Sequence, residues 1–359
     1  MVRSERLAQA LDERGAEVFI SSMRPNQLYL LDHPEPSSVI SRPNCHAIVF
    51  GLDVAVIFPG VWISNACRDL LPGCEVVENA LGDPPPAEQL LAYLEKAGFK
   101  KIVLDQPALA AAIGQRVPGC EVLVEDIGTQ LRRQKDARDL EGMREAARIA
   151  DLGMTAAFAA IRPGITCLDV IAEGEYAMLK AGAEDAKMAP AVGEGTYYLD
   201  SGENPRRIIK EGDMIFIDMA IHVRGYLGDM TRAGIVGEGN LEQRRLLATV
   251  QEAYRTGVRA MQPGTDGRDI YREVVGCFAA QGWQSFYVHH LSHGLGLGGD
   301  RPRIGSEVAD VLVEGDALSC EPGIYVPGIG GARVENMIYI GAEGAEELTQ
   351  CTLDLPMGF

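Results

Sequence analysis

The period of the apolar positions changes several times along the chain, and each change predicts an element. Apolar residues recur at helical spacing over 7–15 and stop at Gly15, which predicts a short amphipathic helix followed by a strand over 17–21. Runs near 46–50 and 54–58 predict a strand hairpin, 87–96 a helix led in by Pro84, Pro85 and Pro86, and 101–104 another strand. Residues 1–125 therefore read as an α/β domain. A second domain, 126–359, opens on a long helix over 137–160 and continues into strands that carry acids where apolar residues belong. Asp218 interrupts Met214-Ile215-Phe216-Ile217-Asp218-Met219-Ala220, and Glu321 ends Ala317-Leu318-Ser319-Cys320-Glu321.

A buried carboxylate without a partner is costly enough that such groups neutralise, pair or bind metal. A turn centred on Val223-Arg224 would place Asp218 directly across from Asp229, and a loop at Pro327-Gly328-Ile329 would place Glu321 across from Glu335. Like charges directly opposed on a sheet are destabilising, so two such pairs call for a cation between them. An internal repeat supports the same idea. Ala160-Ile161-Arg162-Pro163-Gly164 is echoed by Ala260-Met261-Gln262-Pro263-Gly264, and Lys210-Glu211-Gly212-Asp213 by Val313-Glu314-Gly315-Asp316. Pro163 to Gly212 is 49 positions and Pro263 to Gly315 is 52; Asp218 and Glu321 each lie six residues beyond the second glycine. A duplicated unit folded about a pseudo-twofold axis would bring these carboxylates face to face on a curved antiparallel sheet, with helices on its outer side.

Composition narrows the remaining classes. A net charge of −18 disfavours nucleic acid as a partner, and no apolar run reaches the length of a membrane span. Eight cysteines without a Cys-x-x-Cys pair, and a start without an apolar signal region, predict free thiols in a cytoplasmic protein. Gly294, Gly296 and Gly299 match G-x-G-x-x-G, but a His-rich segment precedes them and Asp300-Arg301-Pro302 follows, so the strand and helix that a dinucleotide site requires are missing. Those glycines and His293 instead read as a metal-site loop.

Asp218, Gly225-Tyr226, Asp229-Met230-Thr231-Arg232, His293-Gly294-Leu295-Gly296, Glu321-Pro322-Gly323-Ile324-Tyr325 and Arg333-Val334-Glu335-Asn336 together resemble the pita-bread metallopeptidases, in order and across the whole second domain. The first domain is similar to the N-terminal domain of the prolidase, aminopeptidase P and creatinase branch, on the segment Arg24-Pro25-Asn26-Gln27-Leu28-Tyr29-Leu30-Leu31. The resemblance implies two divalent ions, Mn²⁺ first and Co²⁺, Fe²⁺ or Zn²⁺ as alternatives, held by Asp218, Asp229, His293, Glu321 and Glu335, with Asp229 and Glu335 bridging. It implies hydrolysis of a C–N bond in an Xaa-Pro peptide by metal-activated water, Glu321 as general base and His289 at the substrate. It also implies a homodimer, with His33 or His46 as residues reaching into the partner's site.

The chain departs from this pattern outside the ligands. No histidine stands in the 197–207 segment, and Asp300-Arg301 replaces a His-Glu pair seven positions after His293. Tyr197, Tyr198, Arg206, Arg207, Asp300, Arg301, Arg303 and Arg333 are candidate substrate residues. The departures predict weak turnover of Xaa-Pro dipeptides. They also keep open a non-peptidase on the same scaffold, cleaving or eliminating from a small charged molecule in the manner of creatinase, ectoine hydrolase or dimethylsulfoniopropionate lyase, with Asp300 facing the substrate. A catalytically silent binding module is the remaining class.

Overall fold

Short strands, buried at the centre of the sheet, and helices build the first part of the chain: α1 (Val2–Asp12), β1 (Val18–Ser21), α2 (Arg24–Leu31), β2 (Cys45–Phe50), β3 (Ala55–Pro59), α3 (Ser64–Leu70), β4 (Cys74–Val76), α4 (Pro86–Ala97), β5 (Lys101–Leu104), α5 (Ala110–Arg116), β6 (Glu121–Val124) and α6 (Ile127–Arg133). The structure is a computed structural model that describes residues 2–31, 45–51, 54–198 and 205–358, and it separates into two units, Met1–Arg132 and Arg133–Phe359. In the first unit one mixed sheet runs β4-β3-β2-β1-β5-β6, antiparallel at β3-β2-β1 and parallel at its flanks. Its core gathers Val18, Ile20, Val49, Phe58, Leu90 and Ile102. The 24–31 segment forms α2, where Asn26 Nδ2 donates to Asp105 Oδ2 and Asp126 Oδ1 at 2.9 Å each. A Cβ on Gly128 would lie 2.2 Å from the Asn26 side chain, so glycine there permits the contact. His46 is partly buried on β2, and among the described residues its Nε2 has no hydrogen-bond partner. His33 lies outside the described residues.

The second unit displays the duplication in its hydrogen bonds. It comprises α7 (Ala137–Ala160), α8 (Cys167–Lys180), β7 (Asp185–Val192), α9 (Glu194–Tyr197), β8 (Met214–Val223), β9 (Tyr226–Ile235), α10 (Leu241–Ala260), α11 (Gly267–Ala279), β10 (Ser292–Gly294), β11 (Asp300–Ile304), β12 (Ala317–Cys320), β13 (Gly323–Val326), β14 (Gly330–Arg333), β15 (Asn336–Gly341) and β16 (Gly344–Glu347). Thr166 caps α8 and bridges to Ile208; Asp266 caps α11 and bridges to Val311. Gly212 N donates to Val236 O, and Gly315 N to Ile340 O; Asp213 and Asp316 each accept from the backbone N–H three residues earlier. The two halves, β7-β8-β9 and β11-β10-β12-β15-β16, meet where Thr231 pairs antiparallel with Glu335. Those two residues occupy nearly equivalent places in the repeats, so the pseudo-twofold axis passes close to their bridge.

One predicted register is wrong by two residues. Val223 faces Tyr226, and the turn is Arg224-Gly225, both at positive φ (53° and 83°). Such two-residue turns need left-handed conformations at both positions, which glycine adopts freely and β-branched Val223 resists. Asp218 therefore faces Thr231, and Asp229 faces Ala220. The two acids share a face as diagonal neighbours instead of opposing each other. The second hairpin follows the expected register: Cys320 faces Asn336 and Gly323 faces Arg333, leaving Glu321 facing Glu335.

Asp300 also differs from expectation. On β11 the residues alternate buried and exposed, so Asp300, Pro302 and Ile304 point inward while Arg301 and Arg303 point outward. The Asp300 carboxylate lies 2.9 Å from Lys135 Nζ, with both side chains almost completely out of solvent. It is a buried structural ion pair and not an acid presented to substrate. Breaking a buried pair by removing one partner costs about 3–5 kcal/mol. Asp300→Ala should therefore lose about that much stability in denaturant unfolding, and the apolar pair Lys135→Met with Asp300→Leu should recover most of it. An Asp300→Ala variant as stable as the parent would contradict the assignment.

Candidate metal centre

Period-two alternation on β8, β9 and the β12–β15 hairpin places Asp218, Asp229, Glu321 and Glu335 on surfaces that converge, and β10 supplies His293 between them. His293 Nε2 lies 3.4 Å from Asp229 Oδ2, 3.4 Å from Glu321 Oε1 and 4.0 Å from Glu335 Oε1. Asp218 sits beside Arg333, whose Nη2 donates to Asp218 Oδ2 at 2.5 Å and whose Nε donates to Thr231 Oγ1. All five residues expected as ligands are thus gathered in one place. Their side-chain exposure falls from 32% at Asp218 to 2% at Glu335.

Several residues that the sequence reading left without roles hold this cluster. Thr231 Oγ donates to Glu335 Oε2 at 2.8 Å, and Ser319 Oγ donates to Glu321 Oε1 at 3.0 Å. Each stands two positions from a ligand on the same strand face, so alternation alone would have found them. Arg232 is fully buried, and its guanidinium donates to the carbonyls of Thr231, Glu335, Cys351 and Thr352 and to Asn336 Oδ1, pinning both strands at the bridge. His290 Nε2 lies 3.0 Å from Glu321 Oε1, a contact that no periodicity announces because His290 precedes β10 in an irregular segment.

The remaining candidates divide between two cavities. Tyr271, Tyr287, His289, His290, His293 and Arg303 line one of about 690 Å³. Tyr197 and Tyr198, packed edge to face, line a different one of about 360 Å³ with Gly193, Gln243 and Ile329. Arg206 is exposed, and Arg301 is paired with Asp310 on the surface. The 199–204 stretch, where the histidine of the resemblance is missing, lies outside the described residues. His289 Nε2 is 3.0 Å from the Tyr325 hydroxyl, and burial lowers its pKa to about 4, so the ring is neutral near pH 7.

The electrostatics identify what the cluster lacks. Burial, followed by the charges of Asp218 and Glu321, pushes Asp229 well above the ordinary carboxyl range; burial and then Asp229, Glu321 and Asp218 do the same to Glu335. Burial also opposes ionisation of Glu321, but the hydrogen bond from His290, followed by the charges of His293 and His290, outweighs it and holds this carboxyl low. Among the described residues, buried Glu335 Oε1 has no hydrogen-bond partner. Carboxylates that repel one another around an orphaned oxygen and an imidazole fit divalent cations. Ligand atoms of His293 converge with those of Asp229 and Glu335 and with that of Glu321, and these residues, with Asp218 beside Thr231, are the ones that would hold them.

A pH dependence follows with a definite sign. In metal-free protein the folded state retains protons on Asp229 and Glu335 that the unfolded chain releases near pH 4, so stability falls as pH rises from about 4 toward their raised values; Glu321, held low, loses its contribution only as pH falls below its ordinary value of 4.5. Divalent ions displace those protons and offset the loss, by about 2.7 kcal/mol at a hundred times Kd. Chelator-treated protein should melt at lower temperature as pH is raised, Mn²⁺ should restore it, and titration calorimetry in buffers of different ionisation heat should register proton release. Melting that is indifferent to Mn²⁺, without proton release, would contradict this.

Residues 141–342 match the family model described as metallopeptidase family M24. The Xaa-Pro dipeptidase of Pyrococcus furiosus is 33% identical over 237 residues, 65% of this chain and 67% of that protein. Among solved structures, an Xaa-Pro dipeptidase from Bacillus anthracis superposes with a TM-score of 0.86 at 24% identity, covering 99% of both chains. An X-Pro aminopeptidase from Thermotoga maritima gives a TM-score of 0.87 at 24% identity, again over 99% of both. A family match over more than half the chain, joined to a pita-bread fold and a convergent carboxylate cage, makes this protein a member of metallopeptidase family M24 of the Xaa-Pro peptidase-like type, a metal-dependent hydrolase of peptide bonds.

Proposed function

We propose that the protein is an Xaa-Pro dipeptidase or aminopeptidase working on short peptides in the cavity beside His293. The observation that carries this reading is the convergence of Asp229, Glu321 and Glu335 on His293 Nε2 at the wall of a cavity also lined by His289 and Arg303. Bound divalent ions there lower the pKa of water and polarise a carbonyl. The chain's own groups handle the protons and the substrate. Glu321, ionised and fixed by Ser319, accepts the proton of the attacking water through an oxygen within reach of His290. Neutral His289, oriented by Tyr325, faces the substrate as a hydrogen-bonding group and not as a cation. Among the described residues the Arg303 guanidinium makes no ion pair, which leaves its charge available to a substrate carboxylate.

Burial of Asp300 against Lys135 removes the argument for a small zwitterionic substrate, and the relatives named as Xaa-Pro peptidases favour the peptide reading over the non-peptidase one. The oxygen-rich part of the cage, Asp218, Asp229 and Glu335, supports Mn²⁺ as one native ion. The described cysteines are free, which agrees with a reducing compartment such as the cytoplasm. A homodimer completes the reading and is checked by light scattering.

A panel of dipeptides with added Mn²⁺ or Co²⁺ should show metal-dependent cleavage of Xaa-Pro. Glu321→Gln should lower kcat by about 10²–10⁴-fold, and Arg303→Ala should raise KM for substrates with a free carboxylate far more than for their amides. Absence of cleavage across the panel with both metals loaded, or turnover confined to a non-peptide substrate, would overturn the proposal.

A further inference from the structure

His290 lies outside the five-ligand set, yet its position is that of a ligand. Its Nε2 stands 3.0 Å from Glu321 Oε1, the oxygen that His293 Nε2 approaches at 3.4 Å, and these three donor atoms lie within 4.8 Å of one another. The two rings are 5.6 Å apart and inclined at 71°, so their nitrogens converge without stacking. The backbone fixes the placement. Leu291 N donates to Ile304 O, Glu321 N donates to Leu291 O, and the His290 carbonyl lies 2.7 Å from His289 Nδ1. About half of the His290 side chain is exposed, on the cavity side of the cage.

We infer that His290 is a sixth protein ligand, joining His293 and Glu321 on one ion of the pair and giving the two metal positions unlike donor sets. This rests on the metal-centre reading above. The position nearer Asp218 is bounded by carboxylates and a threonine hydroxyl, whereas the His293 position gains a second imidazole. Carboxylate oxygen suits Mn²⁺, while imidazole suits Zn²⁺, and both Zn²⁺ and Co²⁺ stand above Mn²⁺ in intrinsic affinity for a given site. His290 thus tilts one position toward Co²⁺ or Zn²⁺ and leaves the other hard. A histidine that only hydrogen-bonds Glu321 would also lower affinity on removal, but it would leave the Co²⁺ spectrum and the balance between Co²⁺ and Mn²⁺ unchanged.

Metal-stripped full-length protein and its His290→Ala variant, matched for circular dichroism and melting temperature in chelator, are titrated calorimetrically with Co²⁺ and with Mn²⁺. Their Co²⁺ d–d absorption is recorded with and without added imidazole. The parent should bind two Co²⁺. His290→Ala should weaken one site by at least about 10–100-fold, a loss that even outer-shell partners of a metal produce, with the other site unchanged and Mn²⁺ affected less than Co²⁺. Its absorption should change, and imidazole should restore it. Two sites of parental affinity with an unaltered spectrum in His290→Ala would overturn the inference while leaving the metal centre standing. A parent that takes up no Co²⁺ would overturn both.

Discussion

Carboxylate repulsion in a buried space is the constraint on which the second unit depends. Asp218, Asp229, Glu321 and Glu335 are brought together by strands whose other face is core, including fully buried Ile217, Met230, Cys320 and Val334. Each uncompensated buried charge costs several kcal/mol. The protein answers with cationic and neutral donors aimed at single oxygens: Arg333 at Asp218, Thr231 at Glu335, Ser319 and His290 at Glu321. They leave Asp229 and Glu335 with raised pKa values and, among the described residues, Glu335 Oε1 without a hydrogen-bond partner. The site is a deficit of positive charge held in fixed geometry, which is the form a preorganised metal centre takes before its ions are counted.

Duplication explains how such a costly arrangement is made rigid. Each half presents a strand with a carboxylate six residues after a positive-φ glycine, Gly212 or Gly315, and the halves join through the reciprocal Thr231 and Glu335 bridge. Arg232 satisfies the carbonyls around that bridge and, among the described residues, takes no carboxylate for itself, so its charge lies next to the cage while leaving the carboxylate oxygens open. The same side chain ties the segment 351–352 to the bridge. Chemistry and fold therefore share one junction.

Much of this was legible in the sequence, and the misses have physical causes. Asp218 and Glu321 inside apolar strands, and the repeat of Pro163-Gly164 by Pro263-Gly264, pointed to two of the carboxylates that the structure gathers, because burial makes an acid informative. The Asp218 and Asp229 register was misread because the turn was centred one residue early, on Val223-Arg224, where the backbone requires Arg224-Gly225. Asp300 was misplaced because only side-chain parity on β11 separates a buried ion-pair acid from a cavity acid, and its partner Lys135 is 165 residues away. His290 escaped for a related reason: it is brought to Glu321 by hydrogen bonds of Leu291 to distant strands. Tertiary pairing, and not local pattern, decides what such residues touch.

On the proposed function, Asp218, Asp229, His293, Glu321 and Glu335 together would hold two divalent cations, with Asp229 and Glu335 shared between them. Anomalous diffraction from crystals soaked in Mn²⁺ tests it directly. The account predicts two anomalous peaks per chain among Asp218, Asp229, His293, Glu321 and Glu335, with both bridging carboxylates between them, and the loss of both peaks in a Glu335→Ala crystal. A single peak, or two peaks that persist without Glu335, would contradict it.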